Sequence, residues 1–532
     1  MKGDFSRVSF DPRNHFSQVL LQQGRVTLDA DPNEQGAILL HYLRTLARDL
    51  FGPYAAPADN AGFGLEIVDE NGEVSLIVGA GRYYVQGVLC ETDGFDYIDQ
   101  PYFTPQPDSK DNSSGDPLRR WLEASNRDDE QRFWVYLKVW ERHVTSVEMP
   151  SLREVALGGP DTCSRMQVVW QVRAMAVDDI EDSLQERLEA LKKQIDATKD
   201  DAERQHLQEK FDQLDSQLNE LRENYQQACS VPLSLFERDP LPELAARLQP
   251  SDRLDDPCIT SPDSAYRGAE NHLYRVEIHR GTEDGDSATF KWSRDNGSVL
   301  ARWISGGGSV LDVANARDFR DAKWIELSDD EDDLLGRSGT LCKIASVEGN
   351  RIVLTAEQDR QANASSKARR WDQVSTGDIR LIDGAVSVKP DAGQSEWIDL
   401  EDGVQVRFAA DREYRSGDYW LIPARTTGQI EWPQDAAGEA QYLPPRGVEY
   451  YYAPLGFVGF DDSGNPGVES SCRCLVHPTS TCGILQPRLR ADGDRVVVKP
   501  QNADAVVVAD TTKSTVVAKV AKATTKRKGK DT

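Results

Sequence analysis

The residues best suited to chemistry form a short cluster near the C-terminal end of the sequence. Cys472, Cys474, His477 and Cys482 place three thiols and one imidazole within eleven residues. Structural zinc is held by four ligands of these types, so the cluster could form a zinc site. Its Cys-x-Cys start is closer than the usual spacing, however, and no second Cys/His pair lies nearby. A disulfide formed after release from the cell, or unlinked thiols, are the alternatives for these residues.

Other groups with catalytic potential do not form a recognisable pattern. The sequence contains no phosphate-binding Gly-x4-Gly-Lys-Ser/Thr loop, no His-Glu-x-x-His motif and no Gly-x-Ser-x-Gly elbow. We therefore assign no catalytic residue and no cofactor, and we expect that the protein is not an enzyme. A glycan-cleaving site remains an alternative, because it needs only two carboxylates and the chain has 89 acidic residues.

Tryptophans are frequent in the second half of the chain. They could stack on sugars in a glycan-binding or receptor-binding surface, or they could fill the cores of small β domains, which we favour. These tryptophans are Trp292, Trp303, Trp324, Trp371, Trp397, Trp420 and Trp432.

The charge balance restricts the class of partner. With 62 Lys+Arg against 89 Asp+Glu, the chain carries a net charge of −27, which disfavours nucleic acid and anionic lipid as partners. No apolar run approaches the roughly 18–20 residues that a membrane helix needs, and the charged start lacks a signal-peptide pattern. We expect cytoplasmic synthesis without membrane insertion, in a compartment that keeps the eight cysteines as thiols.

Two charged segments stand apart from this background. Residues 513–532 hold seven basic residues against one acidic residue, so we expect a flexible tail that is either solvated or paired with an acidic neighbour. The acidic run 328–333 is interpreted as a solvated loop, with a divalent-cation site as the alternative.

A helix is predicted near the N-terminus. Asp31 is placed as its N-cap, Pro32 at its first position and Glu34 as the partner in a capping box. One apolar stripe then follows at intervals of four, three and four residues, and Gly52 ends the helix. The stripe consists of Leu39, Leu43, Leu46 and Leu50.

A second helical segment, residues 178–228, lacks Gly and Pro and carries two heptad seams that are out of phase. We favour an antiparallel hairpin that turns near residues 197–201, over one long helix in a parallel coiled coil. Each seam must be covered either by the other helix or by another protein, so its members are candidate interaction residues. They are Leu184, Leu188, Leu191, Ile195, Leu207, Phe211, Leu214, Leu218 and Leu221.

The remaining sequence shows short alternating apolar runs with turn residues between them, which predict strands. One example is the Asn71-Gly72 pair, which predicts a tight hairpin turn. We expect a mainly β, multi-module protein of small sandwiches or barrels, with a capped N-terminal helix and an inserted helical hairpin or coiled coil. The predicted segments are an arm and helix (1–60), a β module (61–177), the helical insertion (178–228), two β modules (229–385 and 386–490) and a basic flexible tail (491–532).

Several motifs in order resemble one uncharacterised bacterial family, over about residues 1–480. The motifs are MKGDFSR from residue 1, LDAD from 28, GRYYVQG from 81, FKWSRDNGSV from 290, YRSGDYWLIPAR from 414 and YAPL from 452. The resemblance implies an association with contractile, phage-tail-like injection systems, and it brings no established catalytic residues.

This resemblance implies a structural or accessory subunit of such a particle, at its baseplate, spike or fibre attachment. We expect it to act by docking to other subunits, in a particle that is either cytosolic or released. A homo-oligomer is expected, and a trimer only by analogy with spikes and fibres. The alternatives are a surface glycan-binding or receptor-binding protein and a glycan-cleaving effector of the same particle.

Overall fold

The structure is a computed structural model of the chain. It describes residues 1–70, 72–103, 115–125, 127–128, 130–238, 240–250, 265–282, 287–375, 379, 381–389, 396–410, 412–460 and 464–477, and the backbone of four later strands. The described part divides into two compact units, residues 1–475 and 476–532.

Strands dominate the first unit, and the helices are few. The helices are α1 (Ala30–Phe51), α2 (Pro117–Glu123), α3 (Val177–Ala197), α4 (Asp201–Asn224) and α5 (Asp330–Leu335). Within the described residues, none of them combines the length and apolar character needed to cross a membrane.

The strands up to the middle of the chain are β1 (Tyr54–Pro57), β2 (Leu65–Glu70), β3 (Glu73–Val78), β4 (Gly81–Val85), β5 (Val88–Thr92), β6 (Phe95–Asp96), β7 (Phe133–Val144), β8 (Arg165–Ala176), β9 (Leu244–Leu248), β10 (His272–Arg280), β11 (Thr289–Ser293), β12 (Leu300–Val313), β13 (Trp324–Ser328), β14 (Thr340–Glu348) and β15 (Arg351–Gln358). The later strands are β16 (Lys367–Trp371), β17 (Leu381–Ile382), β18 (Ala385–Ser387), β19 (Ile398–Asp399), β20 (Val404–Phe408), β21 (Tyr419–Arg425), β22 (Gln429–Ile430), β23 (Tyr451–Phe460), β24 (Pro466–Ser471), β25 (Leu475–Val476), β26 (Arg490–Asp492), β27 (Arg495–Val498), β28 (Ala505–Asp510) and β29 (Lys519–Lys522).

A four-stranded antiparallel sheet, in the order β24-β23-β7-β8, combines β7 and β8 with two strands from residues 451–471. Both of its faces are apolar along β7, because alternate side chains point to opposite sides of a strand. Phe133, Val135 and Leu137 pack with the sheets around β2-β3-β6 and β4-β5. Trp134 and Tyr136 face the other side and pack with the helical hairpin. The sheet is therefore the layer between the sheets around β2-β3-β6 and β4-β5 on one face and the helical hairpin on the other.

The predicted helical hairpin is present. α3 ends at Ala197 and α4 begins at Asp201, so the chain turns where the sequence predicts. The Asp200 carboxylate accepts backbone hydrogen bonds at the start of α4 and caps it. The two helices lie on the Trp134 face of the central sheet, which gives the hairpin a core of its own.

The second half contains a six-stranded sheet, in the order β17-β18-β11-β10-β21-β22, and a closed five-stranded barrel, in the order β12-β15-β14-β13-β16. The barrel strands lie between β11 and β17 in the chain, so the barrel is an insertion into the sheet. The boundary predicted between 385 and 386 falls inside β18 and does not separate two modules. The sequence pattern does not reveal this insertion, because the strands of the barrel and those of the sheet show the same alternation of apolar and polar residues.

In the C-terminal segment, the backbone of strands β26, β27, β28 and β29 pairs as an antiparallel sheet, and the flexibility expected of the basic tail stays a prediction. One expectation about a charged segment needs correction. The acidic run 328–333 is not a solvated loop. It starts α5, where Asp329 and Asp332 form a reciprocal capping box, and Asp332 is buried beside the Arg360 guanidinium.

Candidate docking surface and its anchor

The apolar stripe of α1 faces away from the core. Leu39, Leu43, Leu46 and Leu50 are 54%, 62%, 56% and 66% exposed, whereas Ile38 on the opposite face is 1% exposed. Four leucines in line on one helix form a contiguous apolar patch, and soluble monomers rarely leave such patches uncovered. This stripe is the first part of a candidate docking surface.

The opposite face of α1 fixes the helix on the β body. The Arg44 guanidinium forms a 2.8 Å ion pair with the Glu141 carboxylate on β7. The turn between β4 and β5 approaches so closely that a Cβ at Gly87 would lie 2.4 Å from the Arg44 carbonyl oxygen. Gly87 also has a φ of 77°, which favours glycine. The helix therefore cannot turn its leucines inward without losing these contacts.

The chain before α1 is an extended arm, residues 15–28, whose apolar side chains are also exposed. The exposed apolar side chains of the arm are Phe16, Leu20, Leu21, Val26 and Leu28. The Val19 amide donates a 2.9 Å hydrogen bond to Oε1 of Gln35 on α1, so arm and helix meet there. We call the arm and the leucine stripe together the α1 surface.

The acidic residues at the start of α1 connect the arm instead of capping the helix as predicted. The helix begins at Ala30, and the Asp31 carboxylate accepts a 3.0 Å hydrogen bond from the Leu28 amide. The Glu34 carboxylate accepts the Ser9 hydroxyl rather than closing a capping box. The predicted cap was wrong because these carboxylates accept hydrogen bonds from residues that precede the helix.

The first residues of the chain anchor the arm in a buried ionic cluster. Lys2 Nζ lies 2.9 Å from Oε1 of Glu277, whose second oxygen is 2.5 Å from Arg275 Nε. Lys291 Nζ lies 3.4 Å from Glu277 and 2.5 Å from Glu326. All except Lys2 have side chains at most 5% exposed, so these charges compensate one another in a low-dielectric environment.

Backbone contacts complete the anchor. Arg275 donates to the Met1 carbonyl oxygen at 2.9 Å, and the Asn296 amide donates to the Gly3 carbonyl oxygen at 2.9 Å. The Met1 amino group donates to the Tyr419 hydroxyl at 2.8 Å. Residues from two distant motifs, together with Arg275, therefore converge on the first residues of the chain and hold them in place.

The charges in the anchor shift the titration of its members. Burial alone would raise the pKa of Glu277, but the positive charges of Lys2 and Arg275 outweigh it and hold that pKa well below its ordinary value. Burial lowers the pKa of His143 to about 3, and the nearby Met1 amino group adds to the effect. His143 packs edge-on against Phe5, with ring centroids 5.8 Å apart. The charge state of the anchor therefore depends on pH through ionisable groups that contact the first residues.

A cleft of about 650 Å³ lies between α1, the first ten residues and the β body. Basic residues outnumber acidic ones along its walls, in contrast to the net charge of the whole chain. Its floor is the ionic cluster around Glu277 and Lys367, whose charged groups already pair with one another.

The predicted interaction residues of the helical insertion do not form an open surface, which corrects that expectation. The two seams cover each other and the central sheet. Leu184, Leu188, Leu214, Leu218 and Leu221 are buried, and Leu191, Ile195, Leu207 and Phe211 are half-buried. Intramolecular cover, one of the two options that the sequence left open, accounts for these leucines.

The zinc cluster is also corrected. Cys472 forms a disulfide with Cys229, so its sulfur is not available as a thiolate ligand. Cys474 is an exposed free thiol, and Cys482 lies outside the described residues. Among the residues that the structure describes, no three His, Cys, Asp or Glu side chains are grouped as a metal site. The partner cysteine is 243 residues away, which the local spacing could not reveal.

The tryptophans do not form a platform for sugars. Trp292, Trp303, Trp371 and Trp420 are at most 2% exposed, and the other three are half-buried. The Trp371 indole N–H donates to Glu326 at 2.8 Å, which places this ring in the anchor. Core packing therefore accounts for most of them, as favoured from the sequence.

Comparison with known proteins places the chain in a family. A family model described as a family of unknown function (DUF6519) matches residues 1–532. The chain belongs to this family. The DUF6519 match includes the C-terminal segment, which the motif resemblance had left outside. No curated protein matches the chain. A crystal structure of TssK matches with 9% identity and a TM-score of 0.14, over 68% of this chain and 97% of that chain, a similarity too low to assign a fold or a role.

In this DUF6519 chain the motifs mark the anchor. Lys2 and Gly3 come from the first motif, Lys291 and Asn296 from the FKWSRDNGSV motif, and Tyr419 from the YRSGDYW motif. Sequence reasoning missed the site because each motif reads locally as part of a strand or turn. The signal available was the placement of Lys and Glu inside otherwise apolar β runs.

Proposed function

We propose that the chain is a structural or accessory subunit of a contractile, phage-tail-like particle and that it acts by docking to a neighbouring subunit through the α1 surface. The observation that carries this proposal is the open leucine stripe of α1, held outward by the Arg44–Glu141 ion pair and the close contact with Gly87. The implied association of the resembling family with contractile systems supports the kind of assembly. A docking role needs no cofactor and no catalytic group.

The α1 surface is rigid, which favours a docking role. Leu43 and Leu46 are more than half exposed, while the Arg44 between them is fixed to Glu141. A rigid apolar face loses little conformational entropy when a partner covers it, which favours association. The α1 surface is therefore ordered before the partner arrives.

The test is incorporation into particles in a bacterium that produces them. The chain with Leu43→Glu and Leu46→Glu replaces the natural copy, and the control carries Leu157→Glu at a residue that is 70% exposed elsewhere. We expect the natural chain and the control to sediment with the tail tube and sheath, and the double variant to be lost from that fraction. Particles with tube and sheath but without the natural chain would contradict the proposal.

A further inference from the structure

We propose that the occupant of the α1 surface is a second copy of this chain, whose α1 packs against the leucine stripe helix to helix. This inference specifies the partner of the surface on which the proposed function rests. It is argued from the spacing, extent and charge of that surface.

The spacing of the stripe calls for a helix as the partner. Gly36, Leu39, Leu43, Leu46 and Leu50 follow one another at intervals of three, four, three and four residues. This is the a/d pattern of a coiled coil, in which each side chain enters a hole formed by a facing helix.

The helices of the same chain offer no matching seam. Among the described helices, the seams of α3 and α4 are used against each other and the central sheet. α2 and α5 have only seven and six residues, less than the span of the stripe. A second copy supplies an α1 with the same open spacing.

The extent of the surface is enough for a stable association. The exposed fractions of the nine apolar residues of the α1 surface, five in the arm and four in the stripe, together equal about 5.7 whole residues. At roughly 150 Å² for each large side chain, this amounts to about 850 Å² per copy. A standard interface buries about 800 Å² per partner, so one copy covering another would form a stable contact.

The charge of the segment permits two copies to meet. Residues 12–51 contain four Lys/Arg and four Asp/Glu, whereas the whole chain has a net charge of −27. Two such chains carry like net charge and repel each other, and a neutral segment opposes contact less than the acidic surface of the chain on average. The same neutrality makes the contact weakly dependent on salt.

The first test is the mass of the purified full chain, measured by light scattering after size exclusion. We expect an oligomer for the natural chain and for the Leu157→Glu control, and a monomer for the chain with Leu43→Glu and Leu46→Glu. Circular dichroism shows whether that variant keeps its fold. A monomeric natural chain, or a folded double variant that stays oligomeric, would overturn the inference.

Cross-linking identifies the contact directly. In a chain with Cys163→Ser and Cys474→Ser, Leu43→Cys or Leu46→Cys is expected to give a disulfide-linked dimer on mild oxidation, and Leu157→Cys is not. Absence of that dimer, or a cross-link to another segment of the same chain, would overturn the inference. A monomer that still enters particles refutes only the second copy as partner, whereas an oligomer absent from particles refutes only the proposed function.

Discussion

At the scale of single residues, the anchor around Glu277 is sensitive to substitution because its buried charges compensate one another. One carboxylate is within 3.4 Å of Lys2, Arg275 and Lys291, with almost no solvent to replace it. Removing one member of such a set leaves buried charges without compensation, which costs more than an exposed ion pair contributes. The position of the first residues of the chain therefore depends on a few charges.

Glu277→Gln is expected to lower the free energy of unfolding by about 3–5 kcal/mol, because three cations lose their shared carboxylate. The matched control is Glu431→Gln, which removes an exposed 2.6 Å pair with Arg425 and is expected to cost at most about 1 kcal/mol. Urea denaturation measures both. Equal losses in the two variants would show that the anchor is not compensated as described.

The buried imidazole of His143 predicts a pH dependence. Its folded pKa is about 3, below the unfolded value of about 6.5, so below pH 6.5 the unfolded chain takes up a proton that the folded chain refuses. This group therefore reduces stability as the pH falls from about 6.5 towards 3, by up to about 1.4 kcal/mol per pH unit.

The measurement is the free energy of unfolding between pH 6.5 and 4. His143→Gln is expected to give a shallower dependence than the natural chain, while His206→Gln, at an exposed position on α4, leaves the slope unchanged. Identical slopes in all three proteins would mean that His143 is charged in the folded state.

At the scale of elements, the apolar stripes of three helices differ in whether the chain itself covers them. The α3 and α4 seams are covered within the chain, and the α1 stripe is open. Periodicity predicted all three helices and the turn at 197–201, since it reports one apolar face per helix. It could not tell which face is covered, because cover depends on elements far away in sequence.

Leu218→Ala tests the covered seam. Leu218 is 3% exposed between the helices and the central sheet, so truncation is expected to cost about 2–5 kcal/mol. Leu157→Ala, at a residue that is 70% exposed, is expected to change stability by at most about 0.5 kcal/mol. Thermal unfolding followed by circular dichroism compares them. A small effect at Leu218 would mean that the hairpin does not pack as a unit.

At the scale of the whole molecule, the sequence predicted the mainly β class but not how the strands combine. The alternation in β7 is clear, yet its partner β23 starts more than 300 residues later. The barrel interrupts a sheet whose strands resume after it. Such long-range pairing leaves no local signal, and the anchor and the disulfide were missed for the same reason.

The Cys229–Cys472 disulfide predicts a stability difference for the whole unit, because it joins positions 243 residues apart. Replacing both cysteines with Ser is expected to lower the free energy of unfolding by about 2–5 kcal/mol under oxidising conditions. The control replaces the free, exposed Cys163 and Cys474 with Ser and is expected to change little. If the natural chain and the first variant unfold alike without reductant, the bond is not formed.

The most direct test of the docking role is hydroxyl-radical footprinting of the chain within particles and after their dissociation. The account predicts that Leu39, Leu43, Leu46 and Leu50 are protected in the particle and labelled in the released chain once it has been diluted to a monomer, while Leu157 is labelled in both. Equal labelling of the four leucines in the two states would contradict it.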